Sequence, residues 1–293
     1  MTIFNYGSIN IDHVYRVPHL VQPGETLASS SYQALLGGKG ANQSVALARA
    51  GAKVRHIGRY GENDQWVLER LESFGVDCHL VAATNTPSGH AIIQVDDQAE
   101  NCIILYAGAN HTFQPQELPH LLTEAQKGDW LLLQNECSCT AEMMSLAAQH
   151  GLKVAFNPAP MTEAVAQLPL ESLSLLVVNE VEVLQLLQLE HFDLSQVTER
   201  LTTHYPALAV IVTLGAKGAV WVDQYQVIEV PALPVKAVDT TAAGDTFIGF
   251  TLAALSQGRG IQYALELGCK AAALCVQRVG AAQSIPSLEE VLA

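Results

Sequence analysis

The 293-residue chain lacks the marks of several large protein classes. Cysteine is scarce and scattered: Cys78, Cys102, Cys137, Cys139, Cys269 and Cys275 form no C-x-x-C pair. That excludes a disulfide framework and a zinc ribbon, and the expectation is buried thiols in a reducing compartment. Ten histidines include no H-E-x-x-H, so a zinc hydrolase has no support. Basic residues are few. Fifteen Lys and Arg face 29 Asp and Glu, a net charge of −14, which argues against nucleic acid and anionic membrane surfaces as partners. No apolar run approaches the length of a membrane span. The start, Met1-Thr2-Ile3-Phe4-Asn5-Tyr6, has no basic region followed by an apolar signal core. The expected compartment is the cytoplasm. No P-loop occurs, and no G-x-G-x-x-G sits in the right setting for a dinucleotide.

A well-filled core is present instead, with 49% hydrophobic residues. Short apolar runs at Ile3–Tyr6, Val54–Gly58, Trp130–Gln134, Lys153–Phe156, Leu175–Val178 and Val210–Thr213 read as buried parallel strands. Helical patterns separate most of them, at Gln65–Phe74, Pro115–Ala125, Ala141–His150 and Ser195–Thr203. The order predicts a doubly wound α/β fold with a mainly parallel sheet flanked by helices. Ligands of such folds sit at the carboxyl ends of the strands. Neither repeats nor a linker divide the chain, so residues 1–293 read as a single domain.

Two segments carry chemistry. Asp239-Thr240-Thr241-Ala242-Ala243-Gly244-Asp245-Thr246-Phe247 is a run of small residues opening a long apolar helix pattern. Free N–H groups at a helix start attract anions, and Ala242, Ala243 and Gly244 let one approach closely. Asp245 would sit at the edge of that anion site, where a base takes the proton of a hydroxyl attacking phosphorus. An ordinary capped helix also fits this segment. Gly37-Gly38-Lys39-Gly40-Ala41-Asn42-Gln43 precedes a second helix pattern, Ser44–Ala50. Glycines with one Lys and one Asn suit a neutral polyol. A glycine-rich helix entry with a solvated Lys fits as well.

Together with Gly7-Ser8-Ile9-Asn10-Ile11-Asp12, Pro23-Gly24-Glu25-Thr26, Asn179-Glu180-Val181-Glu182 and Thr213-Leu214-Gly215-Ala216-Lys217-Gly218, these segments resemble the ribokinase-like sugar kinases, the phosphofructokinase-B type. The resemblance runs from Gly7 to about Pro286. It implies an ATP-dependent sugar kinase that phosphorylates the primary hydroxyl of ribose, with Asp245 as base and the amides of residues 242–244 as anion hole. It also implies sugar contacts from Asn10, Asp12, Gly38, Lys39, Asn42 and Glu136. Asn179, Thr213, Gly215 and Gly218 would attend the nucleotide, and Glu182 would hold Mg2+ through water. A K+ site would draw on Asp239, Thr241, Cys275, Arg278, Gly280 and Ser284, mainly through backbone or hydroxyl oxygens.

Read from the residues alone, several of these keep a plainer alternative. Asp12 fits an edge-strand charge and Glu136 a solvated loop acid. N-x-x-E fits a helix start with an acidic first turn, and Thr213–Gly218 fits a simple hairpin.

Segments Ile11–Val17, Ala28–Ala34, Gly89–Val95 and Asn101–Tyr106 read as strands without intervening helices. The resemblance makes them a small β-sheet lid, roughly residues 11–34 and 89–106, that covers the sugar and pairs with a second copy as a homodimer. Ala91 and Ile93 share one strand face and are candidates to touch the sugar, or else plain sheet core. Two other functions stay open: a kinase of this type acting on deoxyribose, a nucleoside or another sugar, and a non-catalytic sugar-binding protein.

Overall fold

A computed structural model of the chain describes residues 1–98 and 100–293. Ala99, inside the expected lid span 89–106, lies outside the described residues. The first half runs β1 (Thr2–Tyr6), β2 (Asn10–Arg16), β3 (Ser31–Gly37), α1 (Lys39–Arg49), β4 (Lys53–Gly61), α2 (Trp66–Ser73) and β5 (Asp77–Thr84). It continues with β6 (Gly89–Val95), β7 (Asn101–Tyr106), α3 (Leu118–Leu121), β8 (Trp130–Gln134), α4 (Thr140–Gln149) and β9 (Lys153–Asn157). The second half adds β10 (Leu175–Asn179), α5 (Glu180–Leu187), α6 (Leu194–His204), β11 (Ala209–Thr213), β12 (Ala219–Val222) and β13 (Val227–Val230). Helices α7 (Ala243–Ser256), α8 (Ile261–Cys275) and α9 (Leu288–Leu292) close the chain.

Nine strands form the main sheet in the order β13-β12-β11-β10-β9-β8-β1-β4-β5. It is parallel from β5 through β11, and β12 runs antiparallel to both neighbours. Central strands are apolar on both faces because helices cover both; every residue of β8, Trp-Leu-Leu-Leu-Gln, is buried. Alternation along β1 sends Ile3 into one core layer, with α1, α7 and α8, and Phe4 and Tyr6 into the other, with α4. Carboxyl ends of the parallel strands therefore gather along one rim.

The second sheet has the order β3-β2-β6-β7. β2 pairs antiparallel with β3 and parallel with β6, and β7 pairs antiparallel with β6. Its edge strand β3 lies a little later than expected, at Ser31–Gly37 rather than Ala28–Ala34. Pairing sets this register, since Asn10 faces Gly37 and Arg16 faces Ser31.

Other boundaries also differ. The helix expected over Ser44–Ala50 starts five residues earlier, at Lys39, because Gly38 takes a positive φ of 90° that turns the chain straight into it. Of the helix expected over Pro115–Ala125, only Leu118–Leu121 forms. Pro119 lacks an N–H, and the flanking turns close i to i−3, as in His120 N–H to Glu117 and Ala125 N–H to Leu122. Strands β5 and β13 and helices α8 and α9 were not expected from the sequence.

Candidate active site

One large cleft, about 870 Å3, lies between the carboxyl rim of the main sheet and the inner face of the small sheet. Alternation along β2 aims Asn10, Asp12, Val14 and Arg16 into it, and β6 contributes Ala91 and Ile93. Lys39 and Asn42 enter from the first turns of α1, and Glu136 from the loop after β8. From the other side come Asn179, Glu182, Thr213, the Asp239–Asp245 loop and Gly280. Most of the residues singled out from sequence thus meet in one place. Gly215, Gly218, Cys275, Arg278 and Ser284 do not line the cleft.

Two glycines make room for the polar side chains of β2. A Cβ on Gly37 would collide with the Asp12 carboxylate, and one on Gly89 would collide with the side chains of Asn10 and Asn110. Asn10 is further fixed by Asn110, whose Nδ2 donates to Asn10 Oδ1 at 2.8 Å. Asn110 in turn accepts the Ile9 amide N–H at 3.0 Å. Burial, and then the neighbouring Glu136, push the Asp12 carboxyl up to about 6.

Glu136 Oε2 accepts from the Ser8 hydroxyl and from the Lys39 amide N–H at 3.0 Å. Burial raises its carboxyl despite those bonds. Burial also works against the charge on Lys39, but Asp245, Glu136 and Glu182 outweigh it, and the ammonium is held more strongly than usual. Lys39 is a cation set among three carboxylates, and Arg16 brings a second cation from the small sheet.

The loop from Asp239 ends in Ala242, the N-cap of α7, at φ 60°. Asp245 follows in the first turn and is 8% exposed. Its Oδ2 accepts from Asn42 Nδ2 at 3.0 Å and its Oδ1 from Gln43 Nε2 at 2.9 Å. Of the three small-residue amides, that of Ala243 donates to Thr240 at 3.2 Å. Those of Ala242 and Gly244 have no backbone acceptor among the described residues. The space above Gly244 is open, since an added Cβ would meet nothing within 4 Å. An anion can therefore reach this helix start.

Asn179 and Glu182 form a reciprocal capping box on α5, the plainer of their two sequence readings. The Glu182 amide donates to Asn179 Oδ1 at 2.8 Å, and the Asn179 amide donates to Glu182 Oε2 at 2.9 Å. Burial raises the Glu182 carboxyl, against that bond. Thr213 ends β11, and the segment after it is the turn of the β11–β12 hairpin. In the Asp239 region, Oδ1 accepts from the Thr241 N–H and Oδ2 from the Gly280 N–H, both at 2.9 Å. Burial opposes the Asp239 charge, but these bonds prevail and hold its carboxyl below the usual value. Cys275 Sγ donates to the Thr241 carbonyl at 3.8 Å. Arg278 points its guanidinium away, to Glu290.

Sequence reasoning missed Ser8, Asn110 and Asn157 as parts of the site. Asn157 ends β9 on the cleft rim, so its place at a strand's carboxyl end was the available signal.

A family model described as pfkB family carbohydrate kinase matches residues 2–288. The chain is 36% identical to a ribokinase of Haemophilus influenzae over 99% of its own length and 97% of that protein. It is 30% identical to a deoxyribokinase of Salmonella typhi, with the same coverage of 99% and 97%. Among solved structures it is similar to Arabidopsis thaliana ribokinase complexed with ribose and ATP, with TM-score 0.89 and 30% identity over 99% of this chain and 97% of that one. Such matches over nearly the whole chain identify it: the protein belongs to the pfkB family of carbohydrate kinases.

Proposed function

We propose that this enzyme transfers the γ-phosphoryl group of ATP to the primary hydroxyl of D-ribose, giving ribose 5-phosphate and ADP. One observation carries the reading: Asp245, at an open helix start, shares a single cleft with Asn10, Asp12, Asn42 and Glu136, the polar set of a polyol site. The full-length similarity to ribokinases supports ribose as the acceptor. The sugar oxygen attacks the γ-phosphorus in line, and the bond from that phosphorus to the β–γ bridging oxygen breaks. Asp245 takes the hydroxyl proton late in the step. The Ala242 and Gly244 amides face the charge that spreads over the transferring group. Positioning, rather than strong basicity, is what Asp245 supplies.

The residues fit the two cations this chemistry uses. The Glu182 oxygen left over from the capping box has no protein hydrogen bond among the described residues, which suits an outer-shell acceptor for hydrated Mg2+. Asp239, the Thr241 carbonyl, Gly280 and the Ser284 hydroxyl give an oxygen-rich set for K+; Cys275 and Arg278 would take part through their carbonyls. Magnesium, when bound with the nucleotide, supplies charge neutralisation on the phosphates. Gly215 and Gly218 shape the turn beside Thr213, where the nucleotide would lie. Exchanging potassium for sodium should lower turnover, and a rate indifferent to the exchange removes the K+ site.

The small sheet acts as a lid, its inner face over the sugar. Its outer face leaves Tyr32, Ile92, Ile104 and Tyr106 exposed, Ile104 at 61%. A second copy of the chain covers that face in a homodimer, and Ile104→Lys should then give monomers by light scattering. An unchanged mass in that variant, or a monomeric wild type, rejects the pairing. Among the described residues no helix is long and apolar enough to cross a membrane. The cytoplasm, where ATP is made available, is the proposed compartment, and fractionation of cells tests it.

The deciding experiment is coupled ADP release with ATP, magnesium and potassium over a panel of sugars and nucleosides, beside Asp245→Asn. Turnover on ribose that vanishes in the variant is the expected result. Higher turnover on deoxyribose or a nucleoside would change the substrate and keep the chemistry. No turnover on any alcohol would favour a sugar-binding protein.

A further inference from the structure

Asp245 is held from behind by a buried chain of side chains that the reaction itself does not use. Gln43, on α1, is fully buried. Its Nε2 donates to Asp245 Oδ1 at 2.9 Å and to Asn157 Oδ1 at 3.2 Å. Its Oε1 accepts from Gln134 Nε2 at 2.7 Å. Gln134 Nε2 also donates to Asn5 Oδ1 at 2.9 Å. Asn5 Nδ2 donates to the Gly40 carbonyl and to Ser44 Oγ, both at 2.8 Å. Ser44 Oγ lies 2.7 Å from His56 Nδ1, and His56 Nε2 lies 3.1 Å from the Gly7 carbonyl.

The direction of each bond is forced. A backbone carbonyl only accepts, so His56 Nε2 carries the hydrogen and Nδ1 accepts from Ser44. Burial keeps that imidazole neutral, its value lowered to about 4. Ser44 has then given its only hydrogen and must accept from Asn5 Nδ2. The Asn5 amide is thereby fixed with Oδ1 toward Gln134, and Gln134 spends both Nε2 hydrogens on Asn5 and Gln43. Gln43 must therefore present Nε2, not Oε1, to Asp245. A flipped Gln43 would set oxygen against the carboxylate and nitrogen against nitrogen. Asn157 is fixed independently, since its Nδ2 donates to the Val177 carbonyl at 3.0 Å.

We propose that Gln43 is a positioning residue of the kinase, its amide locked by Gln134, Asn5 and Asn157 so that it aims Asp245 at the attacking hydroxyl. The inference rests on the reading of Asp245 as the base. Gln43 makes no contact with the cleft and so touches neither sugar nor nucleotide. Its effect belongs to the chemical step and not to binding.

The test uses two variants of the full-length enzyme, with kcat and KM for ribose measured from pH 6 to 9. Gln43→Met keeps the length of the side chain and removes its donor. It should lower kcat roughly tenfold to a hundredfold, with KM for ribose within about threefold. Gln43→Glu keeps the shape and the acceptor for Gln134. Two facing carboxylates share one proton, so at low pH Glu regains the donor and at high pH repels Asp245. Its kcat should approach wild type near pH 6 and fall as pH rises, a slope that wild type lacks. Val45→Ala, a core change on the same helix, controls for lost stability and should leave kcat and its pH profile in place.

Equal kcat in Gln43→Met and wild type overturns the inference. So does equal, pH-independent loss in both Gln43 variants, which is the mark of a structural role. Should Gln43→Met fail to fold, the pH slope of Gln43→Glu decides alone. The two readings separate through Asp245→Asn. If that variant is inactive and the Gln43 variants behave as wild type, the base stands and the positioning role falls. If Asp245→Asn still turns over, the base reading falls and takes this inference with it.

Discussion

Asn42 Nδ2 lies 3.0 Å from Asp245 Oδ2, a hydrogen bond between side chains 203 residues apart in sequence. It joins the first turn of α1 to the first turn of α7. The other end of the same amide is unspent: Asn42 Oδ1 is buried with no hydrogen-bond partner among the described residues. A buried acceptor left unpaired costs about 1–3 kcal/mol. Asn42 lines the cleft, so a small turn of its side chain as sugar binds would bring that oxygen to a polyol hydroxyl and recover the cost.

Asn42→Leu should therefore weaken ribose binding roughly tenfold to a hundredfold, the span that such an unpaired group implies. Calorimetric titration with ribose, without nucleotide, measures it directly. Unchanged affinity would mean that Asn42 serves Asp245 alone. A drop in kcat is also expected, since one of the two donors to Asp245 is lost.

Asp12 gives the site a pH dependence. Its carboxyl is pushed up to about 6, first by burial and then by Glu136. Sugar hydroxyls donate to the ionised form, which exists mainly above that value. KM for ribose should fall as pH rises from 5 to 7, and the fall should vanish in Asp12→Asn. The sign for stability is opposite. The folded state holds this proton more tightly than the unfolded chain, so Asp12 favours folding below about 4 and loses that contribution as pH climbs through 6. A KM that is flat in wild type over this range would remove Asp12 from sugar recognition.

Much of the architecture could be read from the sequence because its signals are local. Buried parallel strands are uninterrupted apolar runs, and β8 matched its expected bounds from Trp130 to Gln134. Motifs at the ends of such runs, such as Glu136 and Asn179, were bound to reach the rim that faces the small sheet. Signals that depend on partners were not legible. The register of β3 follows from Asn10 facing Gly37, which no property of residues 28–34 encodes. β5 sits at the sheet edge and is only half-buried, so its run lacks the unbroken apolar character of β8. The Gln43 to His56 chain is assembled from polar residues on four separate segments. Each alone looks like an ordinary Asn, Gln or Ser.

The contact of α1 with α7 is set by a glycine. A Cβ on Gly249 would collide with the Ala46 side chain and come within 2.9 Å of the Ala46 and Leu47 backbone. Backbone cannot give way as a side-chain tip can. Gly249→Ala should destabilise the fold by about 1–3 kcal/mol through overpacking, despite the better helix propensity of Ala. Because these helices carry Asn42, Gln43 and Asp245, the enforced separation should also lower kcat. Urea unfolding and steady-state kinetics on the same preparation check both effects. A variant as stable and as fast as wild type would show that the helices part without disturbing the site.

His56 should make the enzyme lose stability in mild acid. It is wholly buried, and burial lowers its value to about 4 despite the hydrogen bond to Gly7. An unfolded histidine titrates near 6.5. Between those values the unfolded chain binds a proton that the folded chain refuses, so stability falls as pH drops through that window and levels off below it. The shift corresponds to roughly 3 kcal/mol. Asp12 acts in the opposite direction over part of the same range, so wild type alone shows only the balance. Comparison with His56→Gln isolates the imidazole. Its difference in unfolding free energy from wild type should change by roughly that amount between pH 7 and pH 4, measured by urea titration at each pH. A difference that stays constant would mean that folded His56 takes up its proton as readily as the unfolded chain does. The Ser44 hydroxyl would then lose its acceptor in acid, while Asn5 Nδ2, which also donates to the Gly40 carbonyl, would still hold the Asn5, Gln134 and Gln43 amides in their orientation.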